Sequence, residues 1–599
     1  MSHPKSLLLL ALTALLLWAA LLPPSAPAGD MASELPPLPV MPLDDAPFGL
    51  NTHLATRYTD LNTMAVPADL VVQAGAGWAR EDIHWWRIQP NPNTWDWSFT
   101  DQAMRELIRR QIKVVGVLGH PPGWATGYPY DNPADISFYA PDPQQFARFA
   151  QAVVQRYGRY VHHWEIWNEP DNPLFWKPAP DVRAYSELLR ASAASIRSVD
   201  PQAKILIGGL NPFDTTFLQG VADAGAWNSF DILAVHPYVD PETPEAGNIG
   251  ASLDAMRALA ARYGARPFWV TEIGWASGPG DRDRSGRSNA QDQANYLVRS
   301  SLLLWRAGVE RIFWYTLKDD QNNPYGLFAY GNGRADFSQP KPAFQAFQTL
   351  SRQLGRARFV AMRDLFSRTT VLNFDTLGAW RRGDQPYGEL ASSADRVRSG
   401  QSARLSYRFP STSNDYVVFV RDRAVPIPNQ TYALGLWVYG DGSGNQIKLW
   451  LRDAQGELLQ YALGAAGGPG WHFVQAQIGG PVAEWNRIEK RGDGKLDFPA
   501  SLVAIVLDDA PDGFVGSGTV YLEDLTAMSG PEAYDLMLER DGVALDVLWA
   551  PAGLRARLPT AGDSAVVVGR NGEQNRVAAE GGTLRLELGP SPIYVQHRR

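Results

Sequence analysis

Two carboxylates stand where apolar runs give way to polar ones. The segment His163-Trp164-Glu165-Ile166-Trp167-Asn168-Glu169-Pro170 carries Glu169, and Trp269-Val270-Thr271-Glu272-Ile273-Gly274-Trp275 carries Glu272. A pair of acids suits cleavage of a glycosidic bond. One carboxyl protonates the leaving oxygen, and the other attacks the anomeric carbon or activates water to do so. Proton donation at neutral pH needs a raised carboxyl pKa, which apolar surroundings and a like charge both supply. Glu165 shares the strand parity of Glu169 but lies one pleat deeper, so it reads as structural. His162-His163 does not read as a metal site, because adjacent strand residues point to opposite faces.

The elements that must position these acids alternate along residues 46–350. Strand-like runs fall at Phe48–Ala55, Gly77–Ile83, Lys113–Gly119, Val161–Asn168, Lys204–Gly209, Ile232–Tyr238, Phe268–Ile273 and Arg311–Leu317. Amphipathic helical patterns lie between them, as in Asp101–Gln111, Pro143–Tyr157, Val182–Val199, Ala251–Tyr263 and Ala290–Ala307. Eight strands, mostly each followed by a helix, predict a parallel (β/α)8 TIM barrel. An open doubly wound sheet would want a Gly-rich phosphate loop after its first strand, and Phe48–Ala55 has none. In a barrel the chemistry collects at the C-terminal strand ends, where both glutamates fall.

Trp167-Asn168-Glu169-Pro170 together with Thr271-Glu272-Ile273-Gly274-Trp275 resembles the retaining (β/α)8 glycosidases of the large clan A, most of all glycoside hydrolase family 39, with family 5 next. The resemblance covers about residues 46–350. It implies that Glu169 is the acid/base, Glu272 the nucleophile, and Asn168 the group that holds the sugar 2-hydroxyl. It further implies that Arg80 steadies the nucleophile, that Tyr238 in His236-Pro237-Tyr238 hydrogen-bonds it, and that His120 contacts the sugar, with His236 also a substrate-binding candidate. Trp314 would be the aromatic floor beside the scissile bond. The residues themselves agree with an asymmetric pair. A carboxylate beside a guanidinium stays ionised, whereas a carboxyl among Trp164, Trp167 and Pro170 is partly desolvated and can keep a proton. The likeness implies the short carboxyl separation of retaining enzymes, about 5–5.5 Å.

A chain of 599 residues exceeds one ordinary core. After residue 350 helical periodicity fades and alternating strands appear, predicting an all-β, jelly-roll-like sandwich at 370–530 and a small β segment at 531–599 packed beside the barrel. The sandwich resembles carbohydrate-binding modules. Such modules often hold a structural calcium, for which Asp375 and Asp524 are weak candidates. Trp437, Trp450, Trp471 and Trp485 could stack sugars or fill the core, and alternation puts most of them inside. The aromatics Trp85, Trp86, Trp124, Tyr128, Tyr130, Tyr139 and Trp176 in presumed barrel loops read either as sugar subsites or as plugs. The loop Ser277–Ser288 reads as a lid.

The formal charge of -8 disfavours nucleic acid as a partner. With no cysteine, the chain has neither disulfides nor thiolate metal sites. Lys5, the apolar run Leu7–Leu22 and Ala26-Pro27-Ala28 read as a signal peptide over 1–28, followed by a linker at 29–45. An uncleaved anchor is the alternative. The expectation is a secreted or surface-held monomer, periplasmic or extracellular, with no later membrane span. It would act on a polysaccharide or oligosaccharide without a required cofactor. A transglycosylase on the same residues and a non-catalytic carbohydrate-binding barrel are the competing readings.

Overall fold

The computed structural model describes residues 47–599, apart from 129–135, 213–214, 246, 248, 251, 281–285, 366, 399, 469 and 510–513. The expected signal peptide and linker, Tyr130 and the centre of the loop 277–288 lie outside the described residues.

Eight parallel strands form the first sheet: β1 (Phe48–Asn51), β2 (Trp78–His84), β3 (Lys113–Gly119), β4 (His163–Ile166), β5 (Lys204–Ile207), β6 (Leu233–Val235), β7 (Phe268–Ile273) and β8 (Val309–Trp314). Their order is β5-β4-β3-β2-β1-β8-β7-β6, and parallel bridges Leu206–Ile232 and Leu210–Val235 close the ring between β5 and β6. A helix follows each strand, among them Pro143–Tyr157, Val182–Val199 and Ala290–Arg306. Their starts are chemically marked. Asp142 accepts from Gln145 N ahead of a first-turn proline, and Asp181 accepts from Arg183 N and Ala184 N. Asn289 and Asp292 form a reciprocal capping box.

The barrel interior is packed rather than open. Trp78 meets Trp269 edge-on at 5.2 Å between ring centroids, and His163 stacks on Trp269 at the same separation. Gly49 makes room for this layer, since a Cβ there would lie 2.5 Å from the Phe313 ring, which stacks on Trp269. His162 turns the other way and bonds Asp200.

Several strands stop short of their expected ends. Val161–Asn168 contracts to His163–Ile166, and Ile232–Tyr238 to Leu233–Val235. Beyond the last ladder bond the chain bends across the barrel mouth. His53, His120, Trp167 and Glu169 adopt φ values of 51°, 28°, 73° and 47° there. Left-handed backbone at non-glycine residues costs energy and concentrates at functional sites.

Among the described residues, the C-terminal half forms three antiparallel sheets. Two of them face each other as a sandwich. One contains Ser402–Phe409, Gly516–Ser529 and Thr431–Tyr439, and the other contains Tyr416–Ile427, Ala500–Asp508 and Gln446–Arg452. Leu405, Leu436, Leu449 and Leu507 lie in the apolar layer between them. The expectation that most of the sandwich tryptophans are internal is overturned. Leu434, Leu436 and Val438 take the inward positions of one strand, and Ile447, Leu449 and Leu451 those of another. That parity turns Trp437 and Trp450 outward; Trp471 is likewise half-buried, and Trp485 is 81% exposed.

The third sheet corrects the boundary of the last segment. Arg358–Asp364, which precedes the sandwich, pairs antiparallel with Tyr534–Arg540. Leu365 N donates to Ala533 O at 2.9 Å, so the two ends of the sandwich insertion are neighbours. This sheet packs on the barrel. Trp549, Tyr594 and Leu536 belong to the barrel's apolar cluster, and the Trp549 indole donates to Glu245 Oε1 at 2.9 Å. Glu245 in turn forms a buried ion pair with Arg299 of the Ala290–Arg306 helix.

Candidate active site

Arg80, near the start of β2, organises the barrel mouth. It is 2% exposed, and all five of its N–H donors have partners. Nε and Nη2 reach Glu165 at 2.8 and 3.0 Å, and Nη1 reaches Asn51 Oδ1 at 3.0 Å and Glu272 Oε1 at 2.5 Å. Nη2 also donates to Asn168 Oδ1 at 2.7 Å. With its carbonyl held this way, Asn168 keeps its amide N–H groups for a ligand. Burial alone would lower the Arg80 pKa, but Glu165 and Glu272 more than offset it and hold the guanidinium above its ordinary value.

Glu272 sits on the last turn of the pleat of β7, 8% exposed. Its second oxygen accepts from Tyr238 OH at 2.9 Å. Burial pushes its pKa up, but His236, Arg80 and His53 push it down further, leaving it below the usual glutamate value. Glu169 is held differently. Its Oε1 lies 2.7 Å from His236 Nδ1, and its Oε2 accepts from Asn172 Nδ2 at 2.6 Å. The expected aromatic surroundings of Glu169 are not what holds it. Trp164 and Trp167 are fully buried, and the Trp167 indole donates outward to Phe175 O. The turn at Trp167 swings that ring into the shell and leaves the carboxyl with polar partners.

Glu169, Glu272, Arg80, Asn168, His236 and Tyr238 therefore converge. His120 packs edge-on against Phe138 and Trp167 at 4.8 and 4.9 Å. Trp314 is a correction. It is 2% exposed, its face lies against Trp275, and its indole donates to Tyr325 O. It has no open face to offer as a floor, because strand parity turns it outward from the mouth. The next residue, Tyr315, is partly exposed, and its ring lies 6.4 Å from Tyr238 and 5.7 Å from His53. Of the loop aromatics, Trp85 and Trp176 are buried plugs, whereas Tyr128 is 45% exposed and stacks on Tyr139 at 4.1 Å.

Sequence reasoning missed Asn51, Thr271, Asn172 and the pair His53–Asp82, joined at 2.6 Å on the same rim. Asn51 and Thr271 carried a usable signal, a polar residue ending or interrupting an apolar strand. Asn172 carried none.

Each candidate calcium residue has a protein partner. Asp375 accepts from Gln401 N at 2.8 Å, and Asp524 lies 3.9 Å from Arg398 Nη1. Among the described residues, Glu169, His236 and Glu272 alone place three ligand-type atoms within 4.8 Å of one another. A divalent cation there would meet the Arg80 guanidinium already bonded to Glu272, and like charges at that range repel.

The fold and the site define a closed (β/α)8 barrel with an arginine-braced carboxylate pair at its mouth. Residues 140–336 match the family model described as a glycosyl hydrolase catalytic core. The chain is 28% identical over 225 residues to a β-xylosidase from Geobacillus stearothermophilus, a match that covers 32% of this chain. It spans 42% of that relative's length. Among solved structures, it is similar to a family 39 glycoside hydrolase from the gut symbiont Bacteroides cellulosilyticus. That match has a TM-score of 0.52 and 18% identity, and covers 93% of this chain and 81% of the other. A family 39 β-xylosidase from Caulobacter crescentus matches with a TM-score of 0.39 and 17% identity over 66% and 82% of the two chains. The protein is thus similar to the clan A (β/α)8 glycoside hydrolases, in particular to family 39. Among the described residues, no helix is long and apolar enough to cross a membrane.

Proposed function

We propose that this protein is a retaining glycosidase that hydrolyses O-glycosidic bonds of an extracellular polysaccharide or oligosaccharide. The observation that carries this reading is the carboxylate pair: oxygens of Glu169 and Glu272 lie within 4.8 Å of each other, with opposite kinds of partner. Inverting enzymes hold their carboxyls about 6.5–9.5 Å apart to admit a water, and retaining ones about 5–5.5 Å. Glu272, held below its usual pKa and bonded to Arg80 and Tyr238, is the nucleophile. It forms a bond to the anomeric carbon as the leaving oxygen departs with the proton of Glu169. Water then attacks the same carbon, gives its proton to Glu169, and displaces Glu272. Asn168, fixed by Arg80, donates to the hydroxyl next to the anomeric carbon. The apolar run Leu7–Leu22 with its small-residue cleavage site supports export.

The test uses aryl glycosides of several sugars, followed by sizing of polysaccharide products. Glu272→Ala abolishes hydrolysis, and Glu169→Ala lowers it by roughly 10²–10⁴-fold on poor leaving groups. Added azide restores turnover in both, giving a glycosyl azide of inverted configuration from Glu272→Ala and of retained configuration from Glu169→Ala. Undiminished hydrolysis in either variant, or the same product configuration from both, contradicts the assignment.

A further inference from the structure

Behind the two glutamates runs a chain of hydrogen bonds that the double displacement does not itself require. His236 is 4% exposed and touches Glu169 with one ring nitrogen and Thr271 with the other. The Nδ1 to Glu169 Oε1 distance is 2.7 Å, and the Nε2 to Thr271 Oγ1 distance is 3.0 Å. Thr271 Oγ1 lies 3.2 Å from Glu165 Oε1. That oxygen of Glu165 already takes N–H bonds from Arg80 and from Gly209 N, each at 3.0 Å. A hydroxyl has a single hydrogen. Facing a carboxylate oxygen, which offers only lone pairs, Thr271 gives that hydrogen to Glu165. The lone pairs left on Thr271 Oγ1 then accept from His236, so Nε2 carries a proton.

From this geometry we infer that Thr271 and Glu165 are positioning residues that fix the tautomer of His236, so that Glu169 and His236 Nδ1 share the one proton used in catalysis. The inference rests on the glycosidase reading for its kinetics but not for its structure. With Nε2–H committed to Thr271, Nδ1 is the only ring position that can gain or lose a proton. The pair holds that proton either as a carboxylic acid on neutral imidazole or as a carboxylate on imidazolium. In the first displacement the proton leaves through Glu169 to the departing oxygen. In the second, a proton from the attacking water returns to the pair. No other reagent is needed.

Other charges face the pair from the neighbouring strand ends. Glu272 Oε2 of β7 lies 3.9 Å from His236 Nδ1, and Tyr238 follows on β6. Arg80 comes from β2, Glu165 from β4, and Asp171 from the turn that follows β4. Burial lowers the His236 pKa, but Glu272 and Glu169 raise it more, so the imidazole retains a proton above its ordinary value. Asp171 is pushed up to about 6, by burial first and then by Glu169 among its charged neighbours. Its titration overlaps any profile of the pair.

The test compares Thr271→Val, which keeps the shape and removes the hydroxyl, with Thr271→Ser, which keeps the hydroxyl. Without Thr271 Oγ1 the ring can carry its proton on Nδ1 alone and donate to the Glu169 carboxylate, which then has no proton of its own to give. Histidine-selective ¹⁵N NMR of the full chain, assigned with His236→Gln, reads the tautomer directly and needs no substrate. The expected result is a protonated Nε2 in the wild type and Thr271→Ser, and loss of that state in Thr271→Val. Kinetics use aryl glycosides of whichever sugar the wild type hydrolyses, with 2,4-dinitrophenyl and 4-methoxyphenyl leaving groups. Thr271→Val lowers kcat on the 4-methoxyphenyl glycoside by roughly tenfold and spares the dinitrophenyl one, which needs no acid. Its alkaline limb moves to lower pH with KM unchanged, Thr271→Ser restores both, and Asp171→Asn subtracts the overlapping titration. An unchanged tautomer in Thr271→Val, or equal loss on the two leaving groups, overturns the inference. Absence of hydrolysis in the wild type with the tautomer pattern intact overturns the glycosidase reading instead.

Discussion

At the scale of single residues, Arg80 makes the two glutamates unequal. It spends one donor on Glu272 and none on Glu169. Activity in the proposed mechanism needs ionised Glu272, whose pKa burial raises but His236, Arg80 and His53 lower further. The acid limb of kcat/KM for the free enzyme therefore lies below the ordinary glutamate range, about 4.3. The stability that Glu272 contributes has the same sign: it is present above the unfolded value and is lost as pH falls through the depressed folded one. A kcat/KM profile from pH 3 to 9 checks the limb, and an acid limb at 5 or above contradicts it. Asp171 has the opposite sign. Its folded pKa is about 6, so the ionised form costs stability above that value. Asp171→Asn should stabilise the protein by about 3 kcal/mol at pH 8, with the gain fading as pH falls from about 6 to about 4 and gone below that. Thermal melts across that range decide it.

Elements carry the next level of control. The helix Ala290–Arg306 holds Arg299 against Glu245, which also receives the Trp549 indole from the C-terminal sheet. Its N-terminus is fixed by the Asn289–Asp292 capping box. Asn289→Ala removes an acceptor for two backbone N–H groups and should cost about 1 kcal/mol, read as a lower urea midpoint with an unchanged m-value. An unshifted midpoint would mean that water replaces the cap at no cost. The strand ends behave differently from the helix starts. A helix can be capped by its own neighbours, but a strand end at the barrel mouth is shaped by what it crosses. That is why β4 and β6 end early and their polar residues lean over the carboxylates.

At the scale of the molecule, the sandwich is an insertion into a sheet that belongs to the barrel's surroundings. Arg358–Asp364 and Tyr534–Arg540 pair directly, and Leu365 bonds Ala533. Replacing residues 367–531 with a short Gly-Ser link should leave a folded, cooperative protein that retains activity on small aryl glycosides. Truncation after residue 356 should instead yield aggregated material, because it strips Trp549, Tyr594 and Leu536 from the barrel cluster. Circular dichroism melts and size-exclusion elution distinguish the two. A soluble, active truncation would contradict this division of roles.

Much of this protein is legible along the chain. Lys113–Gly119 and Phe268–Ile273 appear as strands, and Pro143–Tyr157 and Val182–Val199 as helices, at their expected limits. Periods of two and 3.6 and a capping aspartate are local properties, which neighbours in sequence determine among themselves. The sequence also determined which acids stand at strand ends, and so where chemistry could occur. Four features needed the tertiary structure. Glu169 is held by His236 and Asn172 rather than by the tryptophans beside it in sequence, because the left-handed turn at Trp167 and Glu169 breaks strand alternation. Trp314 packs away from the mouth and Tyr315 lies beside it, a one-residue parity that a short strand end does not reveal. The sandwich tryptophans face outward because leucines and valines claim the inner positions. Arg358–Asp364 finds its partner some 170 residues later, since edge pairing depends on which backbone is left unpaired and not on local pattern.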